Sequence, residues 1–418
     1  MKISVENIAK IQHAKVAIDG ISVLAGYNAT GKSTVSKSLN AIILAYTNIL
    51  RKAERSRNHS INSALNNFLG EISPSEIFFF FSDDNLLFIQ KILSKKIQLP
   101  EDYEHFRIEA PSYGLGMDDE YPETSPEIEK QYSNFLVQLQ KIQNRSIEEY
   151  IQFVVEGSIL RSFDHQINTI GQNSIGRIVL SDDSDAVICE ASFKGNRILS
   201  CSYSDIKESN PLYLEPKHTL DDLPATVRSP RNRRIRDPIL FNLLAHDEAQ
   251  ADTITIEIQE KLDRVSALIN EAIHGGLVEN GDSLQYMDEN SSHISLKNLA
   301  SGNKTFAVIK RLLENGQLYK NQTLIIDEPE VNLHPEWQLI LAKVLVILYK
   351  ELGLKVFLNS HSPYFIRAIE ACAKRNDMTD HCFFYQTIQG GNGLYLVEDV
   401  TNEPEKIYQA LYRPLEEL

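Results

Sequence analysis

The chain has 418 residues, 42% hydrophobic and 24% charged, an ordinary globular balance at a length that suits two cores, or one core carrying a large insertion. A net charge of −15 argues against a protein coated in nucleic acid, while leaving room for a local basic groove. Scattered Cys189, Cys201, Cys372 and Cys382 form no C-x-x-C pair, and neither a leader nor a membrane-length apolar run is present, so the expectation is a cytoplasmic protein with no membrane association.

Residues 3–8, 14–18 and 21–24 alternate as short β-strands, expected to be antiparallel. The third runs into Gly26-Tyr27-Asn28-Ala29-Thr30-Gly31-Lys32-Ser33-Thr34, which fits G-x-x-x-x-G-K-[ST]. Residues 35–50 follow with helical spacing and no Pro or Gly, so the motif sits between a strand and a helix, as a phosphate-binding loop requires. Its glycines let Gly26, Asn28, Gly31 and Thr34 present backbone N–H groups to phosphate at a helix N-terminus. Lys32 is expected to reach the β- and γ-phosphates and Ser33 to take a Mg²⁺ position.

Residues 54–174 read as a helical insertion, with candidate helices at 60–69, 86–97, 125–143 and 147–160 around an acidic loop at 100–122. They are too short and too broken for a coiled-coil arm. From residue 176 the pattern turns to strands at 177–180, 186–193, 197–203 and 212–214. Arg228, Arg231, Arg233, Arg234 and Arg236 then cluster in a stretch that reads equally as a solvated loop or as a DNA or RNA phosphate groove. An amphipathic helix at 253–273, stopped by Gly275-Gly276, precedes β-like runs at 284–287 and 293–296. Then come Leu299-Ala300-Ser301-Gly302-Asn303-Lys304, a helix over 305–313, and alternating strands and helices to residue 411.

Two further strand ends carry chemistry. Residues 323–326 lead into Asp327-Glu328-Pro329-Glu330, where Asp327 suits Mg²⁺ and Glu328 suits the base that orients an attacking water. Residues 356–358 lead into Asn359-Ser360-His361-Ser362-Pro363, where His361 could hydrogen-bond the γ-phosphate and Pro363 starts a helix.

The order of these motifs resembles the ABC-type ATPase head, in residues 1–53 and about 175–385. The string Asp327-Glu328-Pro329-Glu330-Val331-Asn332-Leu333-His334-Pro335 looks like the Walker B and D-loop of the overcoming-lysogenization-defect (OLD) ATPases. Relatives of that group include the ATPase subunits of Septu-type and PARIS-type anti-phage systems, with SMC-type and RecF-type repair ATPases more distant. The resemblance implies an α/β P-loop NTPase with an ABC-type head: a mixed central sheet, an antiparallel β subdomain and a helical insertion. It divides the chain into head residues 1–53, the insertion 54–174 and the rest of the head 175–418. It implies ATP and Mg²⁺, with Lys32, Glu328 and His361 catalytic. It also makes Ser301 and Gly302 a signature motif that contacts ATP held by a second protomer, with Asn332 and Leu333 on the same interface. Homodimers or higher homo-oligomers of heads would follow. The signature departs from Leu-Ser-Gly-Gly-Gln, and no glutamine fits the Q-loop; Gln90 and Gln98 lie in the insertion, and Glu215 merely follows a strand. No Toprim or H-N-H nuclease pattern follows His361, so the expected role is an ATP-driven switch in anti-phage defence that controls a separate effector, a nuclease. The alternative is a RecF- or SMC-like repair ATPase acting on DNA; a transporter motor fits least well.

Overall fold

In the computed structural model, which describes residues 1–71, 126–169, 174–204, 210–215, 256–280 and 283–416, the first two strands pair antiparallel and the third departs from them. β1 (Lys2–Ile8) and β2 (Ile11–Ala17) form a hairpin with Ile3, Val5, Ile11, Ala14 and Val16 buried. β3 (Ile21–Ala25) is buried at every residue and lies parallel to two strands from the C-terminal third of the chain. The expectation of three antiparallel strands therefore holds for two. A strand buried on both faces has the unbroken apolar sequence of a parallel core strand.

Helix α1 (Lys32–Tyr46) follows the phosphate loop and ends at Thr47; Asn48 is left-handed (φ 53°), and α2 (Ile49–Glu71) starts anew. The break splits the single helix expected over 35–50. α3 (Pro126–Asn144) and α4 (Ile147–Ser162) come next. β4 (Gly176–Ser181), β5 (Val187–Lys194) and β6 (Arg197–Tyr203) extend the β1–β2 hairpin as antiparallel neighbours. β7 (Leu212–Leu214) and α5 (Ile256–Ala272) lead to β8 (Gly275–Asn280), β9 (Ser283–Asp288) and β10 (His293–Ser295). The Gly-Gly pair expected only to stop α5 opens β8. There a Cβ at Gly275 would lie 2.3 Å from the Met287 carbonyl oxygen, so glycine permits the close pairing.

The remaining elements alternate: α6 (Ser301–Glu314), β11 (Thr323–Asp327), α7 (Pro335–Leu352), β12 (Lys355–Ser360), α8 (Pro363–Arg375), β13 (Cys382–Gln389), β14 (Tyr395–Asp399) and α9 (Glu405–Glu416). Among the described residues one eleven-stranded sheet runs β6-β5-β4-β1-β2-β14-β13-β3-β12-β11-β7, and a separate antiparallel sheet runs β10-β9-β8. The large sheet is antiparallel at its β6 end and parallel through β13, β3, β12, β11 and β7. This is the mixed sheet with a small antiparallel sheet of an α/β P-loop fold.

Burial explains the parallel half. Ile21, Val23, Leu324, Ile326, Val356 and Leu358 share a core with α7 and α8, while the alternate residues Leu24, Ile325 and Phe357 are also fully buried. Helix α1 packs against β11 and β12, so both faces are covered. Local signals place the helices: Pro335 opens α7 and Gly353 (φ 63°) closes it, while Ser362 caps α8 by accepting the Phe365 N–H at 3.2 Å.

The chain separates into two compact units, residues 1–47 with 155–418, and residues 48–154. In the second, the stacked rings of Phe68 and Phe135 (4.9 Å, 12°) join α2 to α3. The expected helix at 86–97, the loop at 100–122, Gln90, Gln98 and the Arg228–236 cluster lie outside the described residues. No helix among the described residues is long and apolar enough to cross a membrane.

Candidate functional site

Strand register assembles the site. In the parallel half, Asp327 pairs with Asn359, Asn359 with Leu24, and Ser360 with Ala25, so three strands end at one level. Each then turns into a polar loop at the carboxyl edge, where open α/β sheets bind ligands.

The loop after β3 is braced from several sides. Gly31, the α1 N-cap, has φ 93°, and a Cβ there would lie 2.6 Å from Ile11 Cδ1, so both backbone and space call for glycine. Thr30 Oγ1 donates to the Tyr27 carbonyl at 2.8 Å, and Thr387 Oγ1 from β13 donates to Thr30 Oγ1 at 2.8 Å. Lys10 Nζ donates to the Ala29 carbonyl at 3.0 Å, and the Tyr27 hydroxyl donates to the Ala410 carbonyl of α9. Asn28 and Ser33 are exposed and Thr34 is half-buried. Lys32 is buried and donates to the carbonyls of Gly26 (2.9 Å) and Tyr27 (2.8 Å), two loop acceptors that phosphate oxygens could replace. Burial pushes its amine below the usual range, while Glu328, Glu330 and Asp327 pull it back up.

Asp327 is 5% exposed and hydrogen-bonded on both oxygens. Ser36 Oγ donates to Oδ1 at 2.6 Å, the Tyr213 hydroxyl donates to Oδ2 at 3.0 Å, and Asn359 Nδ2 also reaches Oδ1. Burial pushes this carboxyl above its usual range, opposed by hydrogen bonds from Ser36, Ser33, Tyr213 and Asn359. Glu328 is left-handed at φ 47°, and its N–H donates to the Asn359 carbonyl at 2.9 Å, fixing the turn that leaves β11. His361 Nδ1 lies 3.5 Å from Glu328 Oε1 and 3.6 Å from Glu330 Oε1.

Lys32, Ser33, Asp327, Glu328 and His361 are thus brought together from three strand ends. Sequence reasoning assigned no role to Ser36, Tyr213, Asn359 or Glu330. Ser36 was legible one helical turn beyond Ser33 and Lys32. Asn359 and Glu330 stand within the quoted strings, and Tyr213 carried no signal beyond a polar atom inside a short strand. Glu215 forms an ion pair with Lys37 of α1 at 3.5 Å.

Ser301 and Gly302 open α6, four residues earlier than expected, which places the pair on its first turn. A Cβ on Gly302 would lie 2.9 Å from Trp337 Cζ3 and 3.1 Å from the Asn332 carbonyl oxygen, so the backbone of this turn lies against the segment after β11. Gly302→Ala should therefore destabilise the protein by about 1–3 kcal/mol through overpacking. Trp337 is the chain's single tryptophan and stands edge-on to Phe306 at 6.4 Å, so its emission should shift as well. Unchanged melting and emission would contradict this packing.

The arrangement suits Mg²⁺ held jointly with a phosphate. Three carboxylates face one lysine, an imbalance that a cation would relieve. Among the described residues no group of three or more His, Cys, Asp and Glu side chains forms a self-contained metal cage. Mg²⁺ commonly uses one or two protein oxygens together with substrate phosphates, and Ser33 with Asp327 could supply such a pair.

The fold and this strand-edge site define a P-loop nucleoside triphosphatase class. The chain belongs to the AAA ATPase domain family, whose pattern it matches over residues 1–366. No curated protein matches it. Among solved structures it is similar to an SMC head domain from Thermotoga maritima, at 9% identity and TM-score 0.39, covering 96% of this chain and 98% of that one. An SMC head bound to the C-terminal winged-helix domain of ScpA is 8% identical at TM-score 0.45, with 95% and 97% covered. The ADP form of an ATP-binding cassette of an ABC transporter is 10% identical at TM-score 0.34, with 99% and 96% covered. These likenesses are too loose to assign an activity or a partner.

Proposed function

We propose that this chain binds and hydrolyses Mg·ATP as an ABC-type switch, with heads that pair when ATP is bound. The observation that carries the reading is the convergence of Lys32, Asp327, Glu328 and His361 on one sheet edge. Lys32 would exchange its loop carbonyls for the β- and γ-phosphates, and the amides of the loop through Gly26, Asn28, Gly31 and Thr34 would cradle them. Ser33 and Asp327 would hold Mg²⁺, which when bound offsets phosphate charge. Glu328 would orient the attacking water and accept its proton, with His361 beside it at the γ-phosphate. The motif order supports pairing: Ser301 and Gly302 lie on a helix start, where amides suit an anion, and would complete a second protomer's site.

The finer reading is control of a separate effector, a nuclease, in anti-phage defence. It is supported by the likeness of residues 327–335 to the OLD group and its defence relatives. Lys32→Ala is the test of both levels. It should abolish ATP binding measured by calorimetry and, in cells carrying the chain with its neighbouring genes, abolish protection in a phage plaque assay. Binding retained by the variant would refute the site; protection retained despite lost binding would refute the defence role.

A further inference from the structure

Glu330 is the third acid at the edge, and the chemistry described so far leaves it idle. It is 4% exposed, yet it is not a free buried charge. One oxygen, Oε1, accepts from Ser360 Oγ at 2.6 Å, from the His361 N–H at 3.0 Å and from the Ser362 N–H at 3.2 Å. Those donors are consecutive: Ser360 ends β12, and His361 and Ser362 form the turn into α8. The Glu330 side chain starts from the turn after β11, where the Val331 N–H donates to the Glu328 carbonyl and the Leu333 N–H to the Glu330 carbonyl. One carboxylate therefore ties the two loops beyond Asp327–Asn359, the last rung of the β11–β12 ladder.

The second observation concerns the imidazole. His361 Nδ1 is buried and has no hydrogen-bond partner among the described residues, and neither has Glu330 Oε2. Yet Nδ1 faces Glu328 Oε1 and Glu330 Oε1 at nearly equal distances. A nitrogen aimed at two carboxylates carries the proton, because an acceptor lone pair there would face only acceptors. A shift of a few tenths of an ångström would make either contact a hydrogen bond.

We propose that Glu330 is a positioning residue: it clamps the turn carrying His361 and keeps a proton on Nδ1, so that the ring meets Glu328 in one orientation and turns Nε2 away from both acids. This rests on the ATPase reading given above for Glu328 and His361. It gives the acid two positions after the Asp-Glu pair a role distinct from both, since its oxygens serve the other loop.

Two measurements on the full-length chain test it. In the first, ATP turnover is compared for wild type, Glu330→Ala, His361→Ala and the double variant. Glu330→Ala should lower kcat about tenfold or more with KM for ATP little changed, and should add nothing once His361 is absent. An equal loss in both backgrounds would overturn the proposal. The second reads the ring itself, by ¹⁵N NMR of histidine-labelled protein without nucleotide, with the His361 signals identified by their loss in His361→Ala. Wild type should show a proton held on Nδ1 and Glu330→Ala a mixture of ring states; an unchanged ring spectrum would also overturn it. If the alanine variant does not fold, Glu330→Asp serves both measurements, because a side chain shorter by one methylene cannot reach all three donors. A wild-type chain without ATPase activity would sink the ATPase reading, while the ring spectrum would still decide the role of Glu330.

Discussion

Glu328→Gln should lower ATP turnover by about 10²–10⁴-fold, the usual range for loss of a general base, while ATP binding persists. The amide keeps the shape of the side chain, so the turn held by the Glu328 N–H and the Asn359 carbonyl stays in place. It cannot take a proton from water. ATP should then remain bound, and if bound ATP pairs the heads, the variant should run as a dimer with ATP and as a smaller species without it. Single-turnover quench measurements with mass photometry read both quantities. Equal turnover in wild type and variant would show that Glu328 is not the base. Lost turnover without ATP-dependent association would remove the paired-head reading and leave the hydrolytic one.

Asp327→Asn should separate stability from function. Burial raises the folded-state pKa of Asp327 above its unfolded value. For a group shifted in that direction, the favourable contribution is fully present below the unfolded pKa, about 3.9, and is lost as pH rises through the folded pKa. Above the folded pKa the nucleotide-free protein holds an ionised carboxylate at a stability cost, which asparagine removes. The hydrogen bonds from Ser36 and Asn359 can persist on the amide oxygen, and the amide can donate to the Tyr213 hydroxyl, which then turns acceptor. The variant should melt a few degrees above wild type near neutral pH, with the gap closing toward acid. Mg²⁺-dependent turnover should fall on the order of 10²-fold or more, and the rise in Tm that Mg·ATP gives wild type should vanish. A variant that melts below wild type at every pH, or that keeps Mg²⁺-dependent turnover, would contradict this account.

These two residues show how unevenly the site is written in the chain. Asp327 and Glu328 end an apolar strand, and two adjacent acids there stand out in any reading of the sequence. The surroundings that give each its character do not. Ser36 lies 291 residues from Asp327 and Tyr213 lies 114 residues away. Glu330 acts on residues about 30 positions downstream, from a separation at which no local pattern operates. The shift of α6 onto Ser301-Gly302 is of the same kind. Gly302 disfavours a helix by propensity, and packing against Trp337 and the Asn332 carbonyl overrides that preference.

By itself the sequence determined the phosphate loop, the strand ends that carry Asp327 and His361, and the capping of α7 and α8. Each of these depends on periodicity, glycine and proline over a few neighbouring residues. The tertiary structure alone decided that β3 leaves the hairpin for the parallel core, that α1 breaks at Asn48, and that Tyr213, Ser36, Asn359 and Glu330 close around two acids. Strand order and register come from burying apolar faces across the whole chain. A carboxylate's partners are therefore set by which strands lie side by side, a choice that no short window of sequence contains.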